Sequence, residues 1–177
     1  MVHTRVGYAG GEKENPTYHE LGDHTEAIQI DYDPAQISYE ELLEIFWDSH
    51  SPTSRPRSRQ YMSVIFFHDE EQEQLARESK ARREEKTGGR IYTEIVPLSP
   101  FYLAEDYHQK YYLQGDYELK KELRDYYPDL KAFVYSTAAA RINGYVAGYG
   151  SPAALEEELA TFGLSESGEK RLLRRVR

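Results

Sequence analysis

Residues 24–47 read HTEAIQIDYDPAQISYEELLEIFW, and they hold two periodicities separated by one punctuation mark. From Thr25 to Tyr32 the apolar positions Ile28, Ile30 and Tyr32 alternate with Gln29 and Asp31, the pattern of a half-buried strand. Asp33-Pro34 ends it. Ser38 and Glu41 have capping-box spacing, so each side chain can satisfy an orphan amide at a helix start. Tyr39, Leu42, Leu43, Phe46 and Trp47 then recur at helical spacing as a core-facing stripe. A strand followed directly by an amphipathic helix is the unit from which the rest of the chain is read.

Upstream, His3 to Tyr8 is short and β-like and stops at Gly7 and the Gly10-Gly11 pair, and Glu12 to Asp23 is a polar loop. Downstream, HSPTSRPRSRQ (50–60) is a Pro-broken loop, and Tyr61 to Phe67 is a strand. Asp69 opens a helix whose acidic first turn and basic last turn suit the macrodipole, and Gly88-Gly89 ends it. Ile91 to Leu98 reads as a further strand, and 102–114 as a Tyr-dense helix. Helices are then expected over 116–126, within 133–150, after the Ser151-Pro152 cap, and from Ser165 to the end. The basic KRLLRRVR at 170–177 is read as a helix end with cations against the dipole. This order points to an α+β chain, a two-layer sandwich with a mixed sheet plus C-terminal helices. The 177 residues are expected to form one domain, with a helical extension from about 116 to 177.

Composition narrows the chemistry. Cys 0 excludes disulfides, thiolate metal sites and a cysteine nucleophile within these residues. A net charge of −9 argues against general nucleic-acid binding. No apolar run approaches the roughly 18 residues of a membrane span, and the start has no signal-like apolar core, so the cytoplasm is the expected location. Tyr 16, against one Trp and six Phe, means either polar-lined pockets or an aromatic surface. A serine triad has no G-x-S-x-G to support it. His19, His24 and Glu26 lie close together, and HTE matches part of a zinc-deaminase signature that also needs cysteines. Loop histidines making hydrogen bonds are the better reading, and no metal or other cofactor is expected. Glu26 sits at a strand start near Tyr18. Partly buried among tyrosines it would be a proton donor near neutral pH; a solvated strand-end carboxylate is the commoner case.

The blocks GYAGG (7–11), NPTY (15–18), DHTEAIQIDYDP (23–34), ISYEELLEIFW (37–47), RQYMSVIFF (59–67) and TEIVPLSPFYLAEDYHQKYY (93–112), in that order, resemble the A-type methionine sulfoxide reductases. STAAARINGYVAGYG (136–150) is similar to the C-terminal part of some members. The resemblance implies a ferredoxin-like core and reduction of methionine-S-sulfoxide, in proteins or free, to methionine. In that chemistry a cysteine thiolate attacks the sulfoxide sulfur, methionine leaves, and thiols resolve the sulfenic acid. It further implies protein repair under oxidative stress, oxidised proteins or free methionine sulfoxide as substrate, and thioredoxin or another thiol as reductant. A monomer without nucleic-acid or membrane partners is expected. Carried over by residue, Glu26, Tyr18 and Tyr61 would act on the sulfoxide oxygen, as O–H donors do where charge develops. Tyr111 and Tyr145 would contact the substrate.

The departures matter equally. The family's Gly-Cys-Phe-Trp-Gly block, expected roughly twenty residues before GYAGG, is absent, and with it the nucleophile and the first strand and helix of the core. The loop before Tyr61 is shorter than in some members and lacks their Asp. Val146 stands where some members have a resolving cysteine. The expectation is a reductase whose coding sequence continues upstream, inactive as these 177 residues. The alternative is a truncated, non-catalytic relative that binds sulfoxide or a protein.

Overall fold

The computed structural model describes residues 2–176. In chain order the elements are β1 (His3–Ala9), β2 (Thr25–Asp31), α1 (Tyr39–Asp48), β3 (Val64–Phe67), α2 (Glu70–Thr87), β4 (Glu94–Pro97) and β5 (Tyr102–Leu103). A 3-10 turn at Asp106–His108 leads to α3 (Tyr111–Gln114), α4 (Tyr117–Tyr126), α5 (Leu130–Val134), α6 (Thr137–Val146) and α7 (Pro152–Glu158). A second 3-10 turn at Leu159–Phe162 precedes α8 (Glu166–Arg175). The α+β class holds. The strands fall into two sheets: a three-stranded one of order β2-β1-β5, and a parallel β3–β4 pair in register from Val64↔Glu94 to Phe67↔Pro97. β1 and β5 pair antiparallel through Gly7↔Leu103 and Tyr8↔Tyr102.

Two compact units divide the chain: Gly7–Ala27 with Tyr32–Leu103, and Met1–Val6 with Ile28–Asp31 and Ala104–Arg177. In the first, α2 packs on α1 and on the β3–β4 pair. Its core is Leu43, Trp47, Ile65, Ala76 and Ile91. The capping box is present at α1, with Glu41 N–H donating to Ser38 Oγ (3.1 Å) and Ser38 N–H to Glu41 Oε2 (2.7 Å). Trp47 is fully buried, and its Nε1–H donates to Ser79 Oγ on α2 (3.1 Å). This frame delivers the chain from α1 into the 50–63 loop.

The second unit is helical around Leu113, Leu119, Leu123, Phe133, Ile142 and Leu172. Asp116 caps α4 by accepting from Leu119 N–H, and its fully buried carboxylate pairs with Arg171 (2.6 Å) and Arg175 (3.1 Å) of α8. The basic C-terminus therefore does more than oppose the helix dipole. Gly168 leaves room for the Glu122 carboxylate, whose Oε2 lies 2.0 Å from where a Cβ would stand.

One expected helix is corrected. Residues 102–114 do not form it: Tyr102–Leu103 pair with β1, and Lys110 takes a left-handed backbone (φ 51°) that separates the 3-10 turn from α3. Lys110 is buried, and its ammonium donates to the carbonyl oxygens of Thr4 and of Val134 (2.9 Å). Burial first, and Arg5 second, push its pKa down to about 8. The unfolded chain therefore holds a proton that the folded chain has lost between pH 8 and about 10.5. Stability contributed at this position is lowest below pH 8 and rises through that window, by an amount on the order of 3 kcal/mol. Denaturant melts of the wild type and Lys110→Met are expected to show this rise in the wild type only. Parallel pH profiles of the two would remove the assignment.

Candidate functional site

The residues singled out in the first unit meet at the start of β2. Glycine makes the preceding turn: Gly10 has φ +83°, and a Cβ there would lie 2.9 Å from the Phe66 ring. Gly10 N–H donates to Ser99 Oγ (2.8 Å), which ties the turn to the segment after β4. The polar loop that follows is held by its far end. Asp23 accepts from Glu12 N–H (2.9 Å) and Lys13 N–H (3.3 Å), and the Glu12 amide leads the causes that hold its carboxyl below the usual range. His24, fully buried, accepts from Gly11 N–H at Nδ1 (3.2 Å) and donates from Nε2 to Lys13 O (2.8 Å). Both ring nitrogens are thereby committed to the backbone, and the tautomer is set. Among the described residues no three His, Asp or Glu side chains form a group suited to a metal ion.

This scaffolding sets Glu26 against the segment that carries Tyr61. Glu26 N–H donates to Gln60 O (3.0 Å), and Gln60 Nε2 donates to Glu26 Oε1 (2.7 Å). Thr25 Oγ1 donates to Arg59 O (2.9 Å). The Arg59 guanidinium reaches Asp23 O (3.2 Å), Gly10 O (3.1 Å) and Glu94 Oε2 (3.3 Å). The hydroxyls of Tyr18 and Tyr61 share a hydrogen bond, which heads the causes that raise the Tyr61 pKa; partial burial and the nearby Tyr18 and Glu26 groups add to it. Tyr61 thus stays a proton donor through neutral and mildly alkaline pH, although its ring is 61% exposed. Glu26 is exposed rather than enclosed by tyrosines. Two phenols stand beside the Glu26 carboxyl group, and their hydroxyls are the donors from which a polar oxygen of a ligand could accept hydrogen bonds.

Gln60 and Arg59 were not singled out from the sequence. Both lie in RQYMS, where Tyr61 drew the attention, and their bonds run to residues more than thirty positions away.

Tyr111 and Tyr145 lie in the helical unit. Tyr111 is 69% exposed and stacks edge-on against Tyr112. Tyr145 is buried, and its hydroxyl donates to Glu158, which also pairs with Arg141. Burial, then that carboxylate, push the Tyr145 pKa up to about 12. Exposed rings also include Tyr107, Tyr112, Tyr117 and Tyr126, so much of the tyrosine content of this unit is surface.

Comparison with known proteins adds independent findings. The family model for peptide methionine sulfoxide reductase matches residues 1–139, and one for the helical domain of selenoprotein methionine sulfoxide reductase A matches residues 129–168. The chain is 46% identical over 167 residues to a peptide methionine sulfoxide reductase of Drosophila melanogaster, covering 93% of this chain and 67% of that protein. It is 47% identical over 124 residues to one from Methanosarcina acetivorans, covering 63% and 65% respectively. Among solved structures, reduced Mxr1 from Saccharomyces cerevisiae aligns with a TM-score of 0.60 at 30% identity, over 64% of this chain and 71% of that one. Methionine sulfoxide reductase A of Corynebacterium diphtheriae aligns with a TM-score of 0.58 at 37% identity, over 65% and 64%. The chain thus spans about two thirds of the length of such relatives.

Proposed function

Since the chain belongs to the peptide methionine sulfoxide reductase family, we propose that it carries the oxygen-binding side of a site for methionine-S-sulfoxide. The observation that carries this is the Tyr18–Tyr61 hydroxyl pair beside Glu26. A sulfoxide oxygen is a strong acceptor with no proton of its own. Attack at sulfur pushes charge onto that oxygen, and O–H donors already oriented toward it stabilise it without reorganisation. Glu26, held by Gln60, would hydrogen-bond or protonate it only as the neutral carboxylic acid, because a carboxylate and a sulfoxide oxygen are both acceptors. Tyr111, in the helical unit, offers an exposed ring for a peptide contact, whereas the Tyr145 ring is buried and its hydroxyl is engaged by Glu158.

The substrate would be methionine sulfoxide, free or in oxidised proteins, and the work protein repair under oxidative stress. The chain is proposed to be monomeric and cytoplasmic; no helix among the described residues is long and apolar enough to cross a membrane. In the full reaction a thiolate attacks sulfur, the S–O oxygen ends on the cysteine as sulfenic acid, and methionine is released. Thioredoxin or another thiol pair then returns the sulfenic acid to the cysteine thiol, with its oxygen leaving as water, and becomes a disulfide. With Cys 0, these 177 residues supply the acceptor site and no thiolate.

The purified 177-residue chain is therefore expected to form no methionine from methionine-S-sulfoxide, with either dithiothreitol or reduced thioredoxin. A small thiol lacks the positioning that makes attack fast. Methionine formation that scales with protein concentration would overturn the division of labour proposed here.

A further inference from the structure

Tyr61 belongs to a second environment besides the hydroxyl cluster. It lines a cavity of about 280 Å³ together with His50, Ser54, Arg55, Arg57 and Tyr92. The cavity is formed by the 50–63 loop and the approach to β4. Its character is opposite to that of the whole chain, whose net charge is −9. Arg55 Nε–H donates to Tyr92 OH (3.1 Å), and Arg55 and Arg90 both lie over the Tyr92 ring, at 5.5 and 5.4 Å from its centre. The Arg55 hydrogen bond leads the causes that hold the Tyr92 hydroxyl below its usual pKa. Among the described residues no carboxylate forms an ion pair with Arg55 or Arg57, whereas nearby Arg59 is engaged by Glu94. His50 donates from Nδ1 to Phe46 O (2.8 Å), which fixes its ring against α1.

We propose that this cavity is a carboxylate-binding subsite, which selects methionine sulfoxide substrates that carry an acidic group next to the oxidised side chain. The inference rests on the oxygen-binding reading of Tyr18, Tyr61 and Glu26. Tyr61 stands at the junction, so a ligand whose sulfoxide oxygen meets its hydroxyl places neighbouring atoms at the cavity. Guanidinium groups match a carboxylate in a bidentate manner. The hydroxyls of Ser54 and Tyr92 supplement them, and the volume admits an Asp or Glu side chain with some water. The carboxylate has two sources, the α-carboxylate of free methionine sulfoxide or an acidic residue flanking it in a peptide.

Calorimetric titration of the 177-residue chain tests this with two ligand series. One is a blocked peptide Asp-Met(S-sulfoxide) beside its Asn isostere, each also prepared as the thioether. The other is free L-methionine-S-sulfoxide beside its amide. In low salt the acidic ligand of at least one series is expected to bind about three- to tenfold tighter than its neutral isostere, as for a partly exposed charge pair. The preference should shrink as salt rises and vanish in Arg57→Gln, a change at an exposed position, while Arg57→Lys retains part of it. Preference confined to the peptide series places a flanking side chain in the cavity; preference in the free series places the α-carboxylate there. Equal binding of acidic and neutral ligands in both series overturns the subsite, even if sulfoxides still bind better than thioethers. An Arg57-dependent acidic preference that is identical for sulfoxide and thioether keeps the carboxylate site and removes the sulfoxide reading instead.

Discussion

Asp116→Ala is expected to destabilise the chain by about 3–4 kcal/mol, with the loss read from the midpoint of a denaturant melt. Three bonds go at once: the α4 cap to Leu119 N–H and the ion pairs to Arg171 and Arg175. Loss of a cap costs about 1 kcal/mol. Breaking a buried pair costs about 3–5 kcal/mol when a charge is stranded, but both arginines are partly exposed and can rehydrate, which keeps the total near the lower end. Asp116→Asn retains a capping oxygen and should lose about half as much. Burial alone would raise the Asp116 pKa, yet the Arg171 bond, the Leu119 amide and Arg175 outweigh it and the value is lowered. A carboxyl depressed in the folded state contributes stability above its unfolded value, and that contribution is lost as pH falls through the folded value. The wild type should thus converge on Asp116→Asn in strong acid. A loss below about 1 kcal/mol, within the range of exposed pairs, would show that α8 is not held this way.

Trp47→Ala is expected to cost about 3–5 kcal/mol, the range for removing a fully buried large aromatic. Trp47 has no exposed surface, and it fills the space between α1 and α2 where Leu43, Ile65, Ala76 and Ile91 meet. The change also removes the bond to Ser79 Oγ. It is the only tryptophan, so the melt should be followed by far-UV circular dichroism. Trp47→Phe keeps most of the apolar volume and should lose less than half as much. Because α1 leads into the loop that carries Tyr61, the Ala variant should also weaken sulfoxide binding under conditions where it remains folded. Near-wild-type stability of Trp47→Ala would mean that the α1–α2 packing does not hold this unit together.

The elements legible in the sequence are those whose signals are local. Ser38 and Glu41 sit three residues apart and need nothing distant to close a capping box. Gly88 ends α2 in a left-handed conformation (φ 65°) that glycine adopts at little cost. The 102–114 segment failed as a helix because the decisive partner is remote: Tyr102 and Leu103 take the edge that β1 offers, more than ninety residues upstream. The β3 and β4 strands are shorter than their apolar runs for a similar reason, since pairing extends only over the residues that find a register. In the site, composition and spacing could raise Glu26 as a candidate carboxylate but could not supply its role, which came from family resemblance. Its setting is fixed by Gln60, Arg59 and Thr25, whose contacts cross a loop that no periodicity describes.

The central claim is that Tyr18, Tyr61 and Glu26 recognise a sulfoxide oxygen. It is tested most directly by calorimetric titration of the 177-residue chain with a blocked methionine-S-sulfoxide peptide and with the matching thioether peptide. The two ligands differ by one oxygen, so the difference in affinity isolates its hydrogen bonds. The sulfoxide should bind about tenfold tighter, the worth of one or two net hydrogen bonds, and Tyr61→Phe should remove most of that margin without weakening the thioether. Equal affinities of the wild type for sulfoxide and thioether would contradict the account.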